Sequence, residues 1–177
     1  LGEENWNTIK KVLNFMLEKP GVKIQWCIVI KGKVQGAGKG LFALLMESIF
    51  GAHNVKTNVT FNDLTREHST LVDGKQIIVL NELVLSGGGK EGKVLSNKLK
   101  PYITEPTLWI NPKGKQEIEI PNFCQFFMFS NDRKPMKIDP EDRRLFVITI
   151  NKKKFEVRKK LDDEGFKKEI IKHIKNP

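Results

Sequence analysis

The strongest constraint on this chain is the order of three pieces: an apolar run at 23–30 ("KIQWCIVI"), a glycine loop at 31–40 ("KGKVQGAGKG"), and a second apolar run ("LFALLMESIF"). The first run is rich in β-branched and aromatic residues and too short to cross a membrane, which predicts a buried strand. The second predicts a helix over 39–50 that is apolar nearly all round. Strand, glycine loop and helix in that order are the setting of a phosphate-binding loop, where backbone N–H groups and the helix N-terminus meet phosphate oxygens. Gly36, Ala37 and Gly38 leave the backbone free to wrap, and Lys39 adds a point charge for the β and γ phosphates. The strict pattern, G-x-x-x-x-G-K-[ST], is broken twice. Lys33 replaces its first glycine and Gly40 its hydroxyl residue.

The remaining segments point to a three-layer α/β domain with a mainly parallel sheet. Residues 3–17 place Trp6, Ile9, Leu13 and Met16 on one helical face, so 1–22 is expected to be a packing helix of the same domain. An edge strand is predicted at 54–60 and a short helix at 61–72, with Asn62 or Thr65 as cap. A buried strand follows at 76–80, then a glycine-rich loop at 86–93 and a helix at 94–103. "TLWINPKGKQEIEI" predicts a hairpin whose type I turn has Asn111 first, Pro112 second and Gly114 fourth, with Lys113 and Lys115 at its tip. Two more buried strands, "CQFFMFS" and "RLFVITI", end an ATPase-like core expected to span 23–150, followed by a basic strand or helix extension at 151–177.

A chain of 177 residues supports a single compact domain rather than two independent ones. The formal net charge is +10, and residues 152–175 hold ten Lys/Arg against five acids, a bias that suits a polyanionic partner. No run reaches the ~20 apolar residues of a membrane span, so an intracellular, non-secreted protein is expected. Cys27 and Cys124 lie in apolar runs and read as buried reduced thiols. His53, His68 and His173 have no metal-ligand spacing, and no zinc site or catalytic triad is predicted. Because the chain begins at Leu1, it is expected to be a piece of a longer protein, monomeric when isolated.

Several residues have the chemistry of a nucleotide hydrolase. In "IIVLNE" an acid follows a buried strand 43 residues after Lys39, so Glu82 is the candidate base for an attacking water. Asn81 beside it can offer Mg²⁺ only an amide oxygen. Asn131, closing "FMFSN", is a candidate to position the lytic water. Arg143 and Arg144 precede the last strand, from which an arginine would reach a neighbouring subunit's nucleotide.

The ordered set "GAGKG", "VLNE", "ITEPTLWINPKGK", "FFMFSN" and "DRRLFVI" resembles the helicase domain of viral and phage primase-helicases, superfamily 3 of the AAA+ ATPases, over about 25–150. The resemblance implies an ATP- and Mg²⁺-dependent DNA helicase working as a hexameric ring on single-stranded DNA, beside a fused primase or polymerase. It implies nucleotide contacts from Gln35, Gly36, Ala37, Gly38, Lys39, Gly40 and Leu41, a metal held near Asn81 and Glu82, and a sensor at Asn131. It also implies an arginine finger at Arg144, with Arg143 next in line, and DNA contacts from Lys113 and Lys115. A nucleoside monophosphate kinase shares "GAGKG", but its second pocket and arginine lid cannot be placed. A degenerate ATPase serving as a DNA-binding platform is the non-enzymatic alternative.

Overall fold

The structure, a computed structural model, describes residues 2–32, 39–81, 90–130 and 143–150. Five strands form an all-parallel sheet: β1 (Cys27–Lys31), β2 (Val55–Val59), β3 (Ile77–Asn81), β6 (Gln125–Ser130) and β7 (Leu145–Thr149). Their spatial order is β2-β3-β6-β1-β7. β1 and β3 bury their first four residues and β6 all six, as expected of strands covered on both faces.

Alternation along the strands divides the apolar residues into two cores. On one face Ile28, Ile30, Ile77, Val79, Phe127 and Phe129 pack against α1 (Glu3–Glu18) and α2 (Lys39–Phe50). α1 contributes Ile9, Val12, Leu13 and Met16, while Trp6, expected on this face, is exposed instead. On the other face Cys27, Val29, Ile78, Leu80, Phe126 and Met128 meet Leu64 of α3 (Phe61–Thr65) and Leu99 and Ile103 of α4 (Lys90–Thr104).

Three local expectations are corrected. α3 stops at Thr65, and its cap is Thr60, not Asn62 or Thr65. The Thr60 hydroxyl accepts from the Asp63 N–H while the Asp63 carboxylate accepts from the Thr60 N–H, a reciprocal capping box. Donation from the Thr60 hydroxyl, and then from its N–H, holds the Asp63 carboxyl below its usual range. α4 begins at Lys90, inside the predicted loop, because Lys90, Glu91 and Lys93 favour helix enough to carry Gly92. β1 begins at Cys27, since Lys23 is used differently. Its buried ammonium donates to the carbonyls of Tyr102 (2.8 Å) and Cys124 (2.6 Å) and to Asn122 Oδ1 (3.3 Å), with Nζ 5.3 Å from the Phe126 ring centre. Lys23 and Asn122 together satisfy carbonyls that the end of α4 would leave open. Burial pushes Lys23 down to about 8, pushes the Cys124 thiol up to about 12, and raises that of Cys27 as well. Both cysteines are free and buried.

Between α4 and β6 the chain makes a separate antiparallel ladder of β4 (Thr107–Ile110) and β5 (Ile118–Pro121). Leu108, Ile110 and Ile120 anchor it in the second core, and Trp109 on its outer face is 64% exposed. Its turn is set one residue later than the sequence suggests. Lys115 N–H donates to the Pro112 carbonyl at 3.0 Å and Gly114 takes φ 73°, because the third turn position is the one that needs positive φ. Among the described residues no helix is long and apolar enough to cross a membrane.

Candidate functional site

In an open parallel sheet, ligands collect beyond the carboxyl ends of the strands where successive connections part to opposite faces. Here that place falls at β1, β6 and β3. The chain leaving β1 passes to α2 on one face, and the chain leaving β3 passes to α4 on the other. β6 lies between them in register, Ile30 opposite Phe129 and Phe129 opposite Asn81. Two strand spacings of about 4.8 Å therefore separate the Ile30 and Asn81 backbones by roughly 10 Å.

The exit from β1 is held from both sides. Gly32 N–H donates to the Ser130 carbonyl at 3.1 Å, and Ile150 N–H donates to the Lys31 carbonyl at 2.8 Å. A Cβ on Gly32 would stand 2.9 Å from the Ile150 carbonyl oxygen and 3.0 Å from its Cβ, so only glycine fits unshifted. The start of α2 is held over the same edge by Phe42, whose ring packs 5.1 Å from Phe127 and 5.6 Å from Phe129. The positive end of a twelve-residue helix thus sits beside the end of the middle strand, where an anion is stabilised. Lys39, Gly40 and Leu41 form that first turn. Gly40 is exposed, and a Cβ there would meet nothing within 4 Å.

Asn81 ends β3 with its side chain tied down: Nδ2 donates to Oδ1 of Asn58 at 2.7 Å. Asn58 was not singled out by sequence reading, and its only signal is an asparagine inside an otherwise β-forming edge strand. Gln35, Gly36, Ala37, Gly38, Glu82 and Asn131 lie outside the described residues, as does the 151–177 extension; Glu82 follows Asn81 directly, and Asn131 follows Ser130.

Arg143 and Arg144 are not brought to this edge. They precede β7, which runs parallel to β1, and the Arg144 carbonyl accepts from Cys27 N–H at 2.7 Å where β1 begins. A five-residue strand at ~3.3 Å per residue puts about 16 Å between them and the exit of β1. Lys113 and Lys115 are exposed at the β4–β5 turn, on a ladder separate from the five-stranded sheet. Among the described residues no three His, Cys, Asp or Glu side chains cluster as metal ligands.

A family profile described as a family of unknown function, DUF5906, matches residues 30–144, about two thirds of the chain, including the carboxyl ends of β1, β3 and β6. The chain belongs to the DUF5906 family. This DUF5906 chain is also 40% identical over 123 residues to the DNA Primase-polymerase of Nitratiruptor phage NrS-1, a match covering 70% of the chain and 17% of that protein. Two apo structures of the NrS-1 C terminal region match at 30% identity. One has a TM-score of 0.80 over 97% of this chain and 41% of the other, and the second has 0.71 over 92% and 37%. The DUF5906 chain therefore spans less than half of each of these relatives.

Proposed function

We propose that this chain is the ATP-hydrolysing helicase domain of a phage-type DNA replication protein, coupling hydrolysis between subunits to movement along single-stranded DNA. The observation that carries the reading is the strand order. With β6 between β1 and β3, the sequence positions of the glycine loop, the Asn81-Glu82 pair and Asn131 all follow directly from the carboxyl ends of three adjacent strands. The helix end above them supplies a positive field for phosphate. Likeness to a primase-polymerase and to the C terminal region of NrS-1 supports a replication context, as does the surplus of basic residues.

In this reading the amides of 35–41 and the Lys39 ammonium hold the β and γ phosphates, Glu82 takes a proton from the attacking water, and Asn131 orients it. The donor set suits Mg²⁺: with Asn81 Nδ2 committed to Asn58, the remaining Oδ1 is a hard oxygen, whereas Gly40 offers none. Bound Mg²⁺ would neutralise charge developing on the phosphate oxygens. The position of Arg143 and Arg144 at the far edge suits a finger that acts on a neighbour's nucleotide in a ring, with Lys113 and Lys115 on the DNA backbone.

The test is phosphate release by the full-length protein with ATP, with and without Mg²⁺ and single-stranded DNA. Mg²⁺-dependent, DNA-stimulated release is expected, and Glu82→Gln should lower it about a hundredfold or more while ATP still binds. An unchanged rate in the assembled Glu82→Gln oligomer overturns the assignment of the base. Phosphoryl transfer to a nucleoside monophosphate would overturn the helicase reading.

A further inference from the structure

The edge strand β2 is not regular, and the irregularity falls beside the candidate site. Its pairing with β3 slips between Lys56 and Val59. The packing records the same slip. Val55 and Val59 would face one side of an unbroken strand, yet Val55 is buried with α1 and α2 and Val59 in the opposite core. A bulge of this kind inserts a residue and re-aims the side chains beyond it. The re-aimed residue is Asn58, held at φ 56°, a left-handed conformation that asparagine tolerates better than most non-glycine residues. Without the slip Asn58 would face α4's side of the sheet; with it, the side chain turns to the α2 side, where Asn81 also lies in continuation of Ile77 and Val79.

The bond between them has a direction. Asn58 Oδ1 accepts from Asn81 Nδ2 at 2.7 Å, and because the two ends of an amide point apart, Asn81 Oδ1 is turned away from β2. We infer that Asn58 is a positioning residue that fixes the Asn81 amide with its oxygen toward the nucleotide edge, and so sets how strongly Mg²⁺ promotes nucleotide binding. The inference rests on the ATP-binding reading above. Outer partners that orient a metal-facing group are worth about ten- to a hundredfold in metal affinity. A free Asn81 amide would spend part of its time presenting NH₂, a donor that cannot face a cation.

The experiment measures ATP affinity of the full-length protein by calorimetry in MgCl₂ and in EDTA, for wild type, Asn58→Gly and Asn58→Asp. Glycine keeps the left-handed backbone and removes the acceptor, whereas aspartate keeps an acceptor and cannot donate. Asn58→Gly is expected to lose about tenfold of the Mg²⁺ advantage with its EDTA affinity unchanged. Asn58→Asp is expected to retain the advantage. A glycine variant with the full advantage, or an aspartate variant as impaired as glycine, overturns the role of Asn58. Wild type that binds ATP no better with Mg²⁺ sinks the nucleotide reading itself, and the role of Asn58 with it.

Discussion

Lys23 offers a sharp quantitative test, because its ammonium is largely buried against carbonyl groups and an aromatic face with no carboxylate among its partners in the described residues. Burial lowers it from 10.5 to about 8 in the folded protein. The unfolded chain thus binds more proton than the folded one between those two values, and the sign follows directly: stability rises as pH climbs through that window. Below pH 8 both states are protonated and the burial cost is present in full; near 10.5 it is gone. At 1.36 kcal/mol per unit, integration from pH 7 to 9.5 gives a gain of about 2 kcal/mol. The two buried thiols work in the opposite direction, because their raised values favour unfolding once unfolded cysteines ionise above about 9. A Lys23→Met variant keeps the thiols and loses the lysine, so subtraction isolates the effect. Urea denaturation under reducing conditions at pH 7, 8, 9 and 9.5 should show wild type gaining about 2 kcal/mol relative to Lys23→Met across the series. A difference that stays flat with pH would refute the buried-ammonium account.

Three further outcomes follow from named contacts. Gly32→Ala forces a methyl against the Ile150 backbone and should cost about 1–3 kcal/mol in a urea melt; a loss below about 0.5 kcal/mol would show that the exit of β1 is looser than described. Gly40→Ser meets no steric obstacle and adds the missing hydroxyl, so half-saturation of ATP binding should need less Mg²⁺, with calorimetry as the readout and no change as the contrary result. Replacing both Lys113 and Lys115 by Ala should weaken single-stranded DNA binding and flatten its salt dependence by about one to two ion equivalents, measured by fluorescence anisotropy with ATP affinity unaltered; an unchanged salt slope removes the β4–β5 turn from DNA contact.

The central strands were legible because burial on both faces leaves a continuous apolar run, as in "IIVL" and "QFFMF", that no amphipathic helix shows. The helix after the glycine loop was legible from its length and apolar run, although it is not buried all round as expected: Met46 and Phe50 face the core while Leu44 and Ile49 are exposed. Strand order was not, since adjacency of β6 to β1 depends on contacts across the whole chain rather than on any local pattern. Lys23 was read as the start of a strand because nothing beside it in sequence reveals the carbonyls it meets, which come from residues 79 to 101 positions away. Thr60 was passed over because Asn62 and Thr65 are equally good caps by type, and only the reciprocal bond with Asp63 decides between them. At the candidate site, Asn81 was marked from its place after an apolar strand. Its partner stayed hidden because a bulge is a slip in pairing, and pairing has no one-residue signature.

The position of β1 has a kinetic consequence. It is the first of the described strands, yet both of its neighbours come from the far half, with Gln125 94 positions after Lys31 and Leu145 later still. The strand that leads into the glycine loop must wait, unpaired and apolar, until almost the whole domain has emerged from the ribosome. Closing so long a loop ahead of any reward in contacts slows folding and leaves "CIVI" open to mispairing in the interval. β2 and β3, close in sequence, can pair early without it. On the proposed reading, competence to hold a phosphate at this edge would be acquired last, as a property of the finished sheet.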